Sequence, residues 1–239
     1  MDSERGHVAI VTGGSRGLGK DLTRELLERG VRVIIDGRDP AALRAARAEL
    51  SRYGDVIAIA GDVRAKEHVH ALVAAAKDLG RLDLLINNAS TLGEVPLPRI
   101  DQLSRETFDL LFDVNVFAPI HLIQHALRLM RRSADVATIV NITSDAGVEA
   151  YPAWGGYGAT KAALEHLSRV LATELEGSNV RVLVADPGDM DTQMHREAIP
   201  DADPRTLSDP AVSARALVHA IAEMKEAYER VRLADVVRA

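Results

Sequence analysis

Short apolar runs alternate with longer helix-like segments along most of this chain, and this order restricts the fold more than any other feature. Runs rich in Val, Ile and Leu predict strands at residues 7–12, 31–36, 56–60, 82–87, 136–143 and 180–185. Most are continuously apolar, as strands buried on both faces are. The segments between them predict helices at residues 17–29, 40–52, 65–79, 104–131 and 157–175. The alternation predicts an α/β fold, a doubly wound and mostly parallel sheet flanked by helices on both faces with right-handed crossovers.

The rest of the chain is consistent with one domain spanning residues 1–239, without internal repeat or linker. Apolar residues make up 47% of the chain and aromatic residues 3%, so the core is expected to consist of closely packed Ala, Val and Leu. A last helix is predicted at residues 210–228 and an edge strand at residues 231–237. Residues 190–207 lack periodicity, which suits either a substrate-side lid or a plain surface connection.

Charge and composition exclude several classes of protein. The net charge is −6 with both signs interspersed, and the densest basic cluster, Arg128, Arg131 and Arg132, is typical of a solvated helix end, so no nucleic-acid partner is expected. Cysteine is absent, which excludes disulfides and thiolate chemistry. The polar start and the lack of an 18-residue apolar run predict no signal peptide and no membrane partner. A cytoplasmic protein is expected.

A glycine-rich turn follows the first predicted strand and reads Gly13-Gly14-Ser15-Arg16-Gly17-Leu18-Gly19. Such a turn allows backbone N–H groups to approach an anion at the N-terminus of the next helix. The spacing is G-x-x-x-G-x-G rather than G-x-G-x-x-G. Alone it is either a phosphate-binding turn or a tight connection, and its place in the first strand-to-helix turn favours the former.

Tyr157 and Lys161 stand four residues apart in a predicted helix and therefore share one face. Ser144 follows a predicted strand, from which its hydroxyl can approach the same point. A phenol, an ammonium and a hydroxyl gathered in this way can move a proton on and off a carbonyl oxygen. Each also has an ordinary interpretation, as a partly buried tyrosine, a lysine extending along it, or a turn cap.

These features together resemble the short-chain dehydrogenase/reductase family. Residues 12–19 resemble its T-G-x-x-x-G-x-G turn, residues 87–90 its N-N-A-G motif with Ser90 in place of glycine, and residues 186–192 its P-G-x-x-x-T segment. Asn115, Ser144, Tyr157 and Lys161 fall where the catalytic tetrad of that family lies. The resemblance implies a Rossmann-fold enzyme that transfers hydride between NAD(P) and a ketone or secondary alcohol.

The resemblance also implies a role for each site residue. Tyr157 would be the general acid and base, its pKa lowered by Lys161 and by oxidised nicotinamide. Ser144 would hold the substrate oxygen, and Asn115 would hold a water that links Lys161 to solvent. Asp62 and Val63 would contact the adenine, while Met190 and Thr192 would hold the carboxamide. The implied cofactor-binding residues are Gly13, Ser15, Arg16, Gly17, Leu18, Gly19, Gly37, Arg38, Asp62, Val63, Asn88, Ala89, Tyr157, Lys161, Pro187, Gly188, Met190 and Thr192.

The end of the second predicted strand bears on the choice of cofactor. Asp36 suggests NAD, because an acid there can accept from the ribose 2′-OH. Counted from the glycine turn, however, the NAD-selecting acid of the family falls at Gly37. Arg16 and Arg38 stand where NADP-using relatives hold the extra phosphate, and a guanidinium suits a phosphate dianion. NADP(H) is therefore expected over NAD(H), and Asp36 is expected to pair with an arginine or to turn outward.

The sequence constrains the substrate pocket and the oligomeric state less than it constrains the cofactor site. Candidate pocket walls, each adjoining a motif, are Leu92, Asp145, Tyr151, Trp154 and Met194. Trp154 suits either stacking on a flat substrate or packing against the lid, and Asp145 suits either a polar or cationic substrate group or solvent. The long helices imply a homodimer or homotetramer. The alternatives are a non-catalytic dinucleotide-binding sensor and an epimerase or dehydratase acting through transient oxidation.

Overall fold

A seven-stranded sheet lies at the centre of the computed structural model, which describes residues 6–133 and 135–237. The strands are β1 (Val8–Val11), β2 (Arg32–Gly37), β3 (Val56–Ala60), β4 (Leu84–Asn87), β5 (Ala137–Ile142), β6 (Val180–Asp186) and β7 (Tyr228–Arg232). Their order is β3-β2-β1-β4-β5-β6-β7, and every neighbouring pair is parallel. The predicted doubly wound α/β fold is confirmed.

Helices cover both faces of the sheet. They are α1 (Gly17–Glu28), α2 (Pro40–Leu50), α3 (Lys66–Asp78), α4 (Arg105–Phe112), α5 (Ala118–Met130), α6 (Gly155–Glu174), α7 (Gln193–Ala198), α8 (Pro210–Glu223) and α9 (Leu233–Val236). The apolar sides of α1, α2 and α8 form one core with the sheet, and those of α3, α5 and α6 form the other. The continuously apolar strands are buried because each is covered twice.

The C-terminal prediction was wrong in detail. The helix expected at residues 210–228 ends at Glu223, and Tyr228 begins β7. The strand expected at residues 231–237 ends at Arg232 and is followed by α9. β7 pairs with β6 alone and lies at the sheet edge, where charged residues are tolerated. Its sequence therefore lacks the apolar pattern by which a strand is predicted.

The predicted helix at residues 104–131 contains a π-helical turn, Asp113–Phe117, between α4 and α5. Such wide turns often occur at functional sites, and this one contains Asn115. The segment from Arg105 to Met130 is long and apolar enough to cross a membrane by composition, but half of its most apolar stretch is buried inside the protein. That degree of burial is ordinary for a core helix.

The carboxyl ends of the parallel strands bring the sequence motifs together. Gly13 follows β1, Asn88 follows β4, Ser144 follows β5 and Pro187 follows β6. The chain reverses direction across the sheet between β1 and β4, and in open α/β sheets ligands bind outside such a switch point. The residues 190–207, predicted as irregular, contain α7 and a short turn at Pro204–Thr206 beside this edge.

Candidate active site

A groove with a cavity volume of about 570 Å³ runs along the carboxyl edge of the sheet. All the predicted cofactor-binding residues line it, from the glycine turn to Thr192. Ser144 and the predicted pocket residues Leu92, Asp145, Trp154 and Met194 line it as well. Asn115 and Tyr151 are not among its lining residues in the described part of the chain.

The glycine turn at one end of the groove has the shape that an anion site needs. Gly13 and Gly17 adopt φ values of +68° and +52°, which favour glycine. A side chain at Gly19 would put its Cβ 2.4 Å from the carbonyl oxygen of Gly13. Within the described residues, no side chain caps the N-terminus of α1, so its first N–H groups are available to a phosphate. A dinucleotide pyrophosphate fits this end of the groove.

Asp36 lies beneath that turn, only 1% exposed. Its Oδ1 accepts a hydrogen bond from the backbone N–H of Gly13 at 2.6 Å, and its Oδ2 lies 2.9 Å from Nε2 of His68. The expectation that Asp36 pairs with an arginine or turns outward was therefore wrong. A buried histidine on α3 takes the place of the arginine, and nothing in the sequence spacing connected His68 with Asp36.

The basic residues expected to select the cofactor lie on the rim of the groove. Arg16 and Arg38 are both exposed. The guanidinium of Arg16 donates to Oε1 of Gln193 at 2.5 Å, which joins the glycine turn to α7 across the groove. Asp62 is held by Arg64, whose guanidinium donates to both carboxylate oxygens and keeps the pKa of Asp62 below its usual value. Sequence reasoning did not identify Arg64.

Tyr157 and Lys161 lie on one face of α6, 8% and 3% exposed. The Nζ of Lys161 lies 5.3 Å from the centre of the Tyr157 ring and donates to the carbonyl oxygen of Ile142 at 2.9 Å. Burial raises the pKa of Tyr157 to about 12, with the nearby Ser90 hydroxyl opposing the rise, and burial lowers the pKa of Lys161 to about 8. Burial of the phenol dominates its pKa in the cofactor-free protein, and the lowering expected from Lys161 and oxidised nicotinamide stays a prediction for the holoenzyme.

Ser144 reaches the groove from the end of β5, as its position predicted. Its hydroxyl donates to Oδ1 of Asp145 at 3.0 Å and accepts from the N–H of Ala146 at 3.2 Å. The exposed Tyr151 donates to the other oxygen of Asp145 at 2.9 Å. Asp145 therefore bridges Ser144 and Tyr151 instead of being simply solvated.

The side-chain amide of Asn115 is fully used by the protein. Its Oδ1 accepts from the hydroxyl of Ser90 at 3.0 Å and from the N–H of Thr91 at 2.9 Å. Its Nδ2 donates to the carbonyl oxygen of Thr91 at 2.9 Å and to the hydroxyl of Thr160 at 3.1 Å. The amide thus ties the loop after β4 to α6, and the water expected at Asn115 stays a prediction. Ser90, the residue that departs from the family motif, takes part through its side chain.

An apolar wall surrounds Tyr157 at the other end of the groove. It consists of Leu92, Leu97, Ala146, Trp154, Met194 and Ala198. The rings of Trp154 and Tyr157 meet edge to face with their centres 5.6 Å apart, and α7 contributes Met194. Trp154 therefore packs against Tyr157 and also lines the groove.

Comparison with known proteins gives one family. The profile described as short chain dehydrogenase matches residues 7–203. The chain is 39% identical over 201 residues to the rhamnolipids biosynthesis 3-oxoacyl-[acyl-carrier-protein] reductase of Pseudomonas aeruginosa, covering 82% of this chain and 77% of that protein. It is 32% identical over 214 residues to the (S)-benzoin-forming benzil reductase of Saccharomyces cerevisiae, covering 87% and 80%.

Solved structures agree with this result. The Pseudomonas aeruginosa RhlG/NADP active-site complex superposes with a TM-score of 0.85 at 32% identity, covering 97% of this chain and 96% of that one. A 7α-hydroxysteroid dehydrogenase complexed with NADH and 7-oxo glycochenodeoxycholic acid gives a TM-score of 0.86 at 25% identity, covering 97% and 94%. These two neighbours hold different nicotinamide cofactors.

Proposed function

Because the chain belongs to the short-chain dehydrogenase/reductase family of NAD(P)-dependent oxidoreductases, we propose that it transfers hydride between NADP(H) and a ketone or secondary alcohol, with Tyr157 as the general acid and base. The observation that carries this proposal is the arrangement along one groove. Tyr157, Lys161 and Ser144 lie at one end and the uncapped N-terminus of α1 at the other.

The residues along the groove suit a dinucleotide. The pyrophosphate would lie on the glycine turn, and the bound nicotinamide would supply the hydride carrier, its C4 atom. Gly188, with a φ of +71°, would keep the chain close to the ring. The hydroxyl of Thr192 accepts from the N–H of His195 at 3.2 Å and keeps its proton free to donate to a carboxamide oxygen.

Four observations support NADP(H) over NAD(H). Asp36 is buried, and both of its carboxylate oxygens already have hydrogen-bond partners in the protein, Gly13 and His68. Gly37 offers no acid at the position that follows. Arg16 and Arg38 are exposed and line the same groove, and their positive charge would suit a 2′-phosphate. A neighbour of 32% identity holds NADP.

Tyr157 is protonated at neutral pH in the protein, because its pKa lies near 12. It therefore begins a reduction as the acid and would donate its proton to the developing alkoxide of the substrate. The hydroxyl of Ser144 would exchange Asp145 for the substrate oxygen and hold it near Tyr157. Lys161, charged below a pH of about 8, would stabilise the phenolate that remains.

The pocket favours a carbonyl with an apolar substituent. Leu92, Trp154 and Met194 form the wall beside Tyr157, and such surfaces bind alkyl and aromatic groups. The names of two relatives, a 3-oxoacyl reductase and a benzil reductase, describe carbonyl substrates with alkyl or aryl substituents. We therefore place ketones of this kind first among the substrates to be tested.

A homodimer or homotetramer forms part of the proposal. Phe117 on the π-helical turn is 60% exposed, and Leu167 and Val170 on α6 are 39% and 42% exposed. Apolar groups of this size on long helices suit a two-fold interface between copies.

The decisive experiment is Tyr157→Phe assayed with NADPH and a panel of aryl and alkyl ketones. We expect kcat to fall by about 10²–10⁴-fold, the usual contribution of a positioned acid, with NADPH affinity nearly unchanged. Tyr53→Phe, at a partly buried tyrosine beyond α2, is the matched control and should retain wild-type kcat. Retention of wild-type activity by Tyr157→Phe would refute the assignment of the acid.

A further inference from the structure

A buried ion pair lies behind the catalytic helix. Glu165 is 5% exposed and stands on α6 one turn after Lys161. The guanidinium of Arg230 on β7 donates to both of its oxygens, from Nε to Oε2 at 3.0 Å and from Nη2 to Oε1 at 3.1 Å. This two-pronged geometry is the strongest that an arginine and a carboxylate adopt.

Glu165 also holds the chain next to Ser144. The hydroxyl of Thr143 donates to Oε1 of Glu165 at 2.8 Å, and Thr143 directly precedes Ser144. A single carboxylate therefore joins α6, the end of β5 and, through Arg230, the edge strand β7. Ser144 and Tyr157 lie on two of these three elements, so their relative position depends on this junction.

Glu165 faces Lys161, because residues four apart on a helix share a face. Of the charged groups in the described residues, Glu165 is the one that favours the protonated form of Lys161, against the effect of burial. The other charged or titratable groups around this region are Tyr157 on α6, Asp145 after β5, and Asp186 at the end of β6 with Arg232 at 3.8 Å. Asp145 and Asp186 act on Tyr157.

We propose that Glu165 and Arg230 are positioning residues for the reaction. Glu165 keeps Lys161 charged and Ser144 in place, and the positive charge of Arg230 weakens the effect of Glu165 on Lys161. The proposal rests on the proposed function, since it assigns the pair a role at the same site. It predicts that replacing Glu165 and replacing Arg230 shift the titration of Lys161 in opposite directions. A structural role alone would weaken the fold in the same way in both variants.

The direction in which the Lys161 titration shifts follows from the charge that each substitution leaves behind. Glu165→Gln leaves the cation of Arg230 without its anion, so Lys161 should lose its proton at lower pH than in the wild type. Arg230→Gln leaves the anion of Glu165 without its cation, so Lys161 should keep its proton to higher pH. The double variant removes both charges and should fall between the two. Glutamine in place of Glu165 can still accept from Thr143.

The experiment measures kcat for ketone reduction between pH 6 and pH 10 in all three variants. We expect the apparent pKa of the alkaline limb to fall by about one unit in Glu165→Gln and to rise by a similar amount in Arg230→Gln. Glu25→Gln is the matched control, because Glu25 forms a mostly buried pair with Arg29 at 2.8 Å on α1, and it should leave the limb unmoved.

A second readout does not depend on turnover. Lysine labelled with ¹³C at Cε can be titrated by NMR in each variant, with the Lys161 signal identified by its loss in Lys161→Met. Opposite shifts in the two single variants support the proposal. Shifts in the same direction, or none, in folded variants overturn it even if the enzyme reduces ketones. If Arg230→Gln does not fold, Glu165→Gln and the double variant decide, and equal Lys161 titration in both overturns it.

The two proposals can fail separately. Failure of the wild type to reduce any ketone while Lys161 shifts as expected would refute the proposed function and leave the charge coupling intact. Ketone reduction with an unshifted Lys161 would refute the coupling alone.

Discussion

Replacing Lys161 by methionine should stabilise the protein while removing its chemistry. Lys161 is 3% exposed, and its pKa is lowered from 10.5 to about 8. At about 1.36 kcal/mol per pKa unit, holding this ammonium in the interior at pH 7 costs about 3 kcal/mol of folding free energy. Methionine also loses the hydrogen bond to the carbonyl oxygen of Ile142, worth about 1 kcal/mol. The expected net gain is about 2 kcal/mol.

The gain should depend on pH in one direction. Below a pH of about 8, Lys161 is charged in both the folded and the unfolded chain, and the folded state bears the full cost. Between about 8 and 10.5 the folded chain loses the proton first, so the cost shrinks as pH rises. The advantage of Lys161→Met should therefore be largest at neutral pH and smallest near pH 10.

Urea unfolding of the cofactor-free protein at pH 7 and at pH 9.5 measures this difference. Lys77→Met, at an exposed lysine in the last turn of α3, is the control and should change the unfolding free energy by less than about 0.5 kcal/mol. A variant less stable than the wild type at pH 7, or a difference that grows with pH, would contradict the reasoning. Activity of Lys161→Met should be lost at both pH values.

Cofactor choice, the glycine turn and the assembly each allow a direct test. Arg38→Ala should weaken NADPH binding by about tenfold or more, because a charged hydrogen bond is lost, and should leave NADH binding unchanged. Arg44→Ala is the control, and an unchanged ratio of NADPH to NADH affinity in Arg38→Ala would refute the assignment of NADP(H). Gly19→Ala should weaken binding of both cofactors in titrations, because its Cβ would lie 2.4 Å from the Gly13 carbonyl oxygen, and wild-type affinity would count against that geometry. Sedimentation should show two or four copies of the 25.8 kDa chain for the wild type and smaller species for Phe117→Glu; a monomeric wild type would refute the interface.

The strands of the sheet interior were predictable because burial on both faces leaves an apolar run with little ambiguity. The rule also held for the edge strand β3, which is apolar in sequence, but it failed at the edge strand β7, which carries Glu229, Arg230 and Arg232. Charged residues interrupt the apolar run by which a strand is identified, so the last helix was extended to Tyr228.

Most of the predicted groove residues could be placed because they follow a strand or a turn at a recognisable spacing. The hydrogen bonds of Asp36 and Asn115 could not be predicted, because their partners are distant in sequence. Asp36 meets His68, and Asn115 meets Ser90 and Thr160, across elements whose contact depends on the completed fold. Two other segments of the chain, the loop at Ser90 and Thr91 and helix α6, satisfy the side-chain amide of Asn115.

The position of Arg230 on the last strand of the sheet has a consequence for the growing polypeptide. The glycine turn and its supporting Asp36 emerge early from the ribosome, whereas the partner of Glu165 is translated some two hundred residues after them. A nascent chain can thus begin to form its glycine turn well before Lys161 has its final charged neighbours.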